Sequence, residues 1–144
     1  MIKRVLVAVD GSGYSDRAFE YAAELAKAVN AEVYAIHVLQ IPYLGPEVEN
    51  NPAFVLQYNQ YLQRQADTLL FKYYQLAKNK YDLEIKTILS KNQPSESILN
   101  EAEAKKVDLI VIGSRGLGGI KRLLLGSISN SVVQDSKIPV LIVK

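Results

Sequence analysis

The sequence predicts an α/β fold: a single-domain, open, parallel five-stranded sheet with helices on both faces. Two observations predict it. Short continuous apolar runs, the mark of strands buried on both faces, alternate with stretches whose apolar residues recur at helical spacing. The resulting βαβαβαβαβ order requires a crossover helix between successive parallel strands. The chain is one domain over residues 1–144, a length sufficient for one substantial core.

Val5-Leu-Val-Ala-Val9 is a β-favouring run stopped by Asp10-Gly-Ser-Gly13. Ser15 is a candidate N-cap, followed by Ala18, Ala22, Leu25, Ala26 and Val29 at helical spacing. Glu32–Leu39 is a second buried strand, and Pro42, Gly45, Pro46 and Pro52 mark a long irregular loop after it. A long helix is expected from about Ala53 to Asn79, with Val55, Tyr58, Leu62, Ala66, Leu69, Tyr73 and Leu76 along one face. Helices rise about 1.5 Å per residue, so this one exceeds what a small sheet needs, and its N-terminal part is expected to project or touch a partner.

Leu83–Leu89 is a third strand whose partial alternation suits a position near a sheet edge. Pro94 fits the first turn of a helix carrying Ile98, Leu99 and Ala102. Val107–Ile112 is the fourth strand. A glycine-framed loop follows, then a helix beginning near Ser127 and bearing Ile128, Val132 and Val133. Ile138–Val143 is the fifth strand. No internal repeat, low-complexity tract or domain linker interrupts this order.

Composition narrows the function classes. The chain is 49% hydrophobic and 22% charged, as ordinary globular domains are, and its net charge of +2 gives no electrostatic case for nucleic acid. Zero cysteines exclude disulfides and thiolate metal sites and fit a reducing compartment. No apolar stretch reaches the roughly 18 residues of a membrane span. Asp10 interrupts the first apolar run too early for a signal peptide, so a cytoplasmic location is expected.

The chemistry concentrates in Gly113-Ser-Arg-Gly-Leu-Gly-Gly-Ile-Lys-Arg-Leu-Leu-Leu-Gly-Ser127. Strand, glycine loop and helix N-terminus together can cradle phosphate, because glycines let the backbone approach an anion and free N–H groups favour negative charge. Open α/β sheets bind ligands beyond the carboxyl ends of their strands, where strand order reverses. If the first and fourth strands are neighbours there, Asp10 and Gly113 face one crevice. A carboxylate suits hydroxyl donors rather than phosphates, and Lys121 or Arg122 can add charge-assisted contacts. Plainer roles exist for each: Asp10 as a turn-former, Gly118 and Gly119 as flexible links, Arg115, Lys121 and Arg122 as a solvated face. His37, the sole histidine, is expected in a structural role, and Tyr58, Tyr61, Tyr73 and Tyr74 in packing.

Three segments carry a family likeness: Val9-Asp-Gly-Ser-Gly-Tyr-Ser-Asp-Arg-Ala18, His37-Val38, and Gly113-x2-Gly116-x9-Gly126-Ser127. The chain resembles the ATP-binding branch of the universal stress protein family over essentially its whole length. The glycine signature is the specific part. The resemblance implies a Rossmann-like, adenine nucleotide alpha hydrolase-like sheet of strand order 3-2-1-4-5. It implies ATP, or ADP or AMP, as ligand, with Asp10 at the ribose or adenosine end and the Val38 backbone on adenine. Gly113 would lie close to the ribose, and Gly116, Gly126, Ser127 and Ile128 would contact phosphates, with Arg115 and Ser129 beside them. Mg²⁺ is expected through the phosphates, without protein ligands. A homodimer through the C-terminal strand Ile138–Val143 is implied as well, and since Pro139 cannot donate to a ladder, pairing should favour residues beyond it.

The residues provide no obvious catalytic set. There is no G-x4-G-K-[ST] motif, no serine–histidine–aspartate set and no carboxylate near the loop to act as base. The expected function is a nucleotide-dependent regulator or sensor in stress response. The alternatives are a slow ATP hydrolase and a nucleotide-independent homodimerisation module. An adenylating ligase ranks last, since Asp10-Gly-Ser-Gly-Tyr-Ser15 lacks the Ser-Gly-Gly-x-Asp-Ser loop of those enzymes.

Overall fold

The computed structural model describes residues 1–118 and 124–144. Five parallel strands, β1 (Arg4–Ala8), β2 (Glu32–Leu39), β3 (Ile85–Lys91), β4 (Leu109–Gly113) and β5 (Val140–Val143), form one sheet of order β3-β2-β1-β4-β5. The expected order is therefore observed, with β3 at an edge. Strand β1 pairs with β2 from Arg4↔Glu32 to Ala8↔Ile36 and with β4 from Val5↔Leu109 to Val7↔Val111. The chain winds outward from β1 in one direction, then crosses back to β4, so the reversal lies between β1 and β4.

Alternate side chains of the central strands feed two cores, the period-two consequence of a sheet covered on both sides. Val5, Val7, Val33, Ala35, Leu109 and Val111 pack beneath α1 (Gly13–Val29) and α3 (Pro52–Leu76). Leu6, Tyr34, Ile36, Ile110 and Ile112 pack beneath α4 (Pro94–Ala104) and α5 (Ser127–Asp135). In α1 the small residues Ala18, Ala22 and Ala26 are fully buried, which lets the helix lie close on the sheet, whereas Val29 is exposed.

Several boundaries differ from the sequence reading, each for a local reason. Ser12, not Ser15, caps α1: its hydroxyl accepts the Ser15 N–H at 3.1 Å. The loop after β2 contains a short helix, α2 (Pro46–Glu49), started by Pro46 at its first turn. Helix α3 runs on into a π-helical turn, Ala77–Tyr81, whose wider ring shifts the buried face so that Ala77 and Tyr81 both reach the core. Asp82 then adopts a left-handed conformation (φ 55°) and the Leu83 N–H bonds Ala77 O, so β3 begins at Ile85 rather than Leu83. On α5 Val132 is buried, while Ile128 and Val133 face solvent. The N-terminal half of α3 leaves Phe54, Leu56 and Tyr61 exposed, in keeping with a projecting end. Among the described residues no helix is long and apolar enough to cross a membrane.

Candidate functional site

The crevice forms where β1 and β4 end side by side. Asp10 follows β1, and its carboxylate is held on both oxygens. Oδ1 accepts the Ser12 N–H at 2.9 Å, closing an Asx-type turn, and Oδ2 accepts the Leu117 N–H at 3.2 Å from the other loop. The two turns proposed to converge from sequence therefore touch. Behind Asp10, the Ser15 hydroxyl accepts the N–H groups of Asp10 and Gly11, each at 3.2 Å. Serines at positions 12 and 15 thus knit the turn into a variant of the capping box, with the return contacts made to the residues just before the cap.

The glycines sit where a side chain has no room. A Cβ on Gly113 would lie 2.9 Å from backbone carbon of Tyr14, and one on Gly116 would lie 2.6 Å from Asp10 Oδ2. The distal end of the loop folds back on its start: the Gly126 N–H donates to Ser114 O at 2.7 Å, and Ser129 Oγ donates to the same carbonyl at 2.9 Å. Ser114, 2% exposed, closes the neck of the loop. Gly126 N–H and the Ser129 hydroxyl are thereby engaged within the protein. Among the described residues no side chain caps the first turn of α5, whose leading residues Ser127 and Ile128 are exposed. Uncapped N–H groups and the helix dipole favour an anion at this end.

Arg115 donates to the Tyr14 hydroxyl at 3.3 Å, and the guanidinium of Arg17 stacks 4.9 Å from the centre of the Tyr14 ring. Tyr14 therefore gathers two cations beside Gly113. Val38, the penultimate residue of β2, lies at the same carboxyl edge one strand away. His37 Nδ1 bonds Val9 O at 2.8 Å, an internal tie between β2 and the end of β1 that suits the structural role expected of it. Gly119, Lys121 and Arg122 lie outside the described residues. Among those described, no cluster of three or more His, Cys, Asp or Glu could hold a metal ion.

Sequence reasoning missed Ser12, Ser114 and the interior use of Ser15. Serines carry no periodic signal, and only tertiary contacts show that Ser12, Ser15 and Ser114 are all buried. A broad surface groove of about 410 Å³ between α3 and β3, lined by Asp67, Leu70, Phe71, Tyr74, Thr87 and Leu89, is built separately from this crevice.

A wound parallel sheet with a glycine loop and an uncapped helix at its reversal point defines a class of α/β ligand-binding domains. The chain belongs to the universal stress protein family, which it matches over residues 1–144. It is 36% identical over 149 residues to the universal stress protein YxiE of Bacillus subtilis, covering 100% of both chains. Its fold is similar to that of the universal stress protein UspA from Lactobacillus plantarum, with a TM-score of 0.86 at 24% identity over 99% of this chain and 98% of that one. A universal stress protein solved in complex with cAMP superposes with a TM-score of 0.69 at 29% identity, covering 99% of this chain and 96% of that one.

Proposed function

We propose that this chain binds an adenine nucleotide, ATP with Mg²⁺, in the crevice between β1 and β4 and acts as a nucleotide-dependent regulator in stress response. One observation carries the reading. The Asp10 turn and the Gly113–Ser127 loop meet through the Asp10–Leu117 contact, at glycines too crowded for any side chain. The family relative solved with cAMP supports the adenine part.

In this reading Asp10 accepts from ribose hydroxyls and the Val38 backbone meets adenine. Gly113 and Gly116 let the two turns close against Tyr14 and Asp10 and so shape the crevice. The phosphate donors are the N–H groups of Ser127, Ile128 and Ser129 and the Ser127 hydroxyl, with Arg115 supplying positive charge. Gly126, its N–H turned to Ser114, shapes the loop instead. Bound phosphates would hold Mg²⁺ together with water. Asp10 accepts one backbone N–H on each oxygen, and in this reading its remaining acceptor positions go to ribose hydroxyls rather than to a water at the phosphates, which favours a sensor over a hydrolase.

Calorimetric titration of the purified protein with MgATP tests the proposal. Saturable heat and a raised melting temperature are expected; neither at millimolar nucleotide would sink it. Single-turnover phosphate release equal to that of a Gly126→Val variant would weigh against hydrolysis.

A further inference from the structure

Tyr73 belongs to α3, outside the crevice, and is fully buried. Its hydroxyl stands 2.5 Å from Asp16 Oδ1 and 3.0 Å from Ser15 Oγ. Ser15 Oγ is the atom that accepts the Asp10 and Gly11 N–H groups.

A proton inventory fixes the direction of these bonds. A serine hydroxyl has one proton and two lone pairs. The two N–H groups fill the lone pairs, so the Ser15 proton is donated, to Tyr73 Oη at 3.0 Å, with Ser12 O at 3.2 Å a longer competing acceptor. The Asp16 carboxylate can only accept, so the Tyr73 proton goes there. Burial first, and then the Asp16 carboxylate, push the Tyr73 phenol far above its usual range, so that proton stays in place. The chain of donors runs one way, from the Asp10 and Gly11 amides through Ser15 and Tyr73 to Asp16, each bond polarising the next.

The same helix meets the turn a second time. Gly11 has φ +85°, and a Cβ there would lie 3.2 Å from Leu69 Cδ1, one helical turn before Tyr73. Backbone at Gly11 is thus confined by packing on one side and by the Ser15 hydroxyl on the other.

We propose that Tyr73 is a positioning residue for the ligand turn: through Ser15 its hydroxyl fixes the Asp10–Gly11 backbone and so the aim of the Asp10 carboxylate. The identity of the ligand rests on the function proposed above; the wiring of the turn does not.

The test compares wild type with Tyr73→Phe, Ser15→Ala and the double variant, by amide hydrogen exchange and by MgATP calorimetry. Tyr73→Phe is expected to speed exchange at Asp10 and Gly11 several-fold while Val7 and Ile110 stay protected, and to weaken MgATP binding about fivefold, the worth of one hydrogen bond. The double variant should bind no worse than Ser15→Ala alone, since Tyr73 acts through Ser15. A uniform rise in exchange, unchanged affinity, or additive losses would overturn the proposal, because a purely structural tyrosine gives those results. If Tyr73→Phe does not fold, the partly exposed Asp16 provides a second route. Asp16→Ala frees the Tyr73 proton to compete for Ser15 Oγ, so exchange should again rise at Asp10 or Gly11, and unchanged exchange there overturns the idea. Should wild type bind no MgATP, the proposed function fails, and the exchange arm still decides the wiring.

Discussion

Asp10 and Leu117 join the two halves of the crevice, the carboxylate of one accepting the N–H of the other at 3.2 Å across 107 positions of sequence. Gly116 lies directly against the same oxygen. Two glycine substitutions should therefore separate stability from binding. Gly113→Ala drives a methyl into the backbone of Tyr14 and should cost about 1–3 kcal/mol of stability. Gly116→Ala meets a side-chain oxygen, so it should displace the Asp10 carboxylate with a smaller stability loss and weaken nucleotide binding about tenfold or more. Denaturant titration and calorimetry on both variants check the contrast, and equal effects on both quantities would refute it.

Asp108 predicts an acid-sensitive seam between β1 and β4. Its carboxylate accepts the N–H groups of Lys3 at 2.7 Å and Arg4 at 2.9 Å, and these bonds hold its pKa below the usual value. A folded pKa below the unfolded value of about 3.9 contributes stability above that pH, lost as pH falls through the folded value. The melting temperature of wild type should drop more steeply than that of Asp108→Asn on acidification below about pH 4.5. Parallel curves would remove Asp108 from the account.

Tyr81 offers the opposite case to Tyr73. Its hydroxyl is buried and finds no hydrogen-bond partner among the described residues. A buried hydroxyl left unpaired is costly, so Tyr81→Phe should leave the melting temperature unchanged or raise it, by up to about 1 kcal/mol in stability. A clear drop by differential scanning calorimetry would mean that the hydroxyl is satisfied.

Strand β5 has an outer edge with no neighbour in the described chain. Pairing of this edge with a second copy across a two-fold axis would satisfy its backbone groups. Val140 and Ile142 pack partly against the core, so aspartate there would damage the fold; Leu141 is 37% exposed and is the cleaner probe. Where the wild type pairs through this edge, Leu141→Asp should lower its light-scattering mass to that of the 16.0 kDa chain. An unchanged mass would exclude this edge as the interface.

The sheet was legible because buried parallel strands leave unbroken apolar runs. The run from Val33 to Leu39 lies between the polar Glu32 and Gln40, and the expected strand Glu32–Leu39 matches β2 throughout. Element ends governed by single backbone conformations were not. Asp82 in the left-handed region delays β3, and nothing in Lys80-Tyr-Asp-Leu83 distinguishes it from an ordinary helix exit. Ser12 and Ser15 satisfy the same capping rule, so local sequence could not rank them. At the site, Asp10 and the glycine frame stood out because each directly follows a buried strand and the glycine spacing is specific. Ser114 and Tyr73 did not, since one makes its contacts through its backbone carbonyl and the other lies on a helix whose stripe already explained it.

Arg17 Nε donates to the carbonyl of Lys144 at 3.0 Å while its guanidinium stacks on Tyr14, so position 144 is tethered within two side chains of Gly113. Met1, fully exposed, precedes β1 at the opposite edge of the sheet, roughly 16 Å away along a five-residue strand. A dye or affinity tag at position 144 would crowd the Tyr14 cations and report on them. The same label at Met1 would leave the crevice undisturbed, which makes the two positions a matched pair of reporters, one sensitive to the loop and one blind to it.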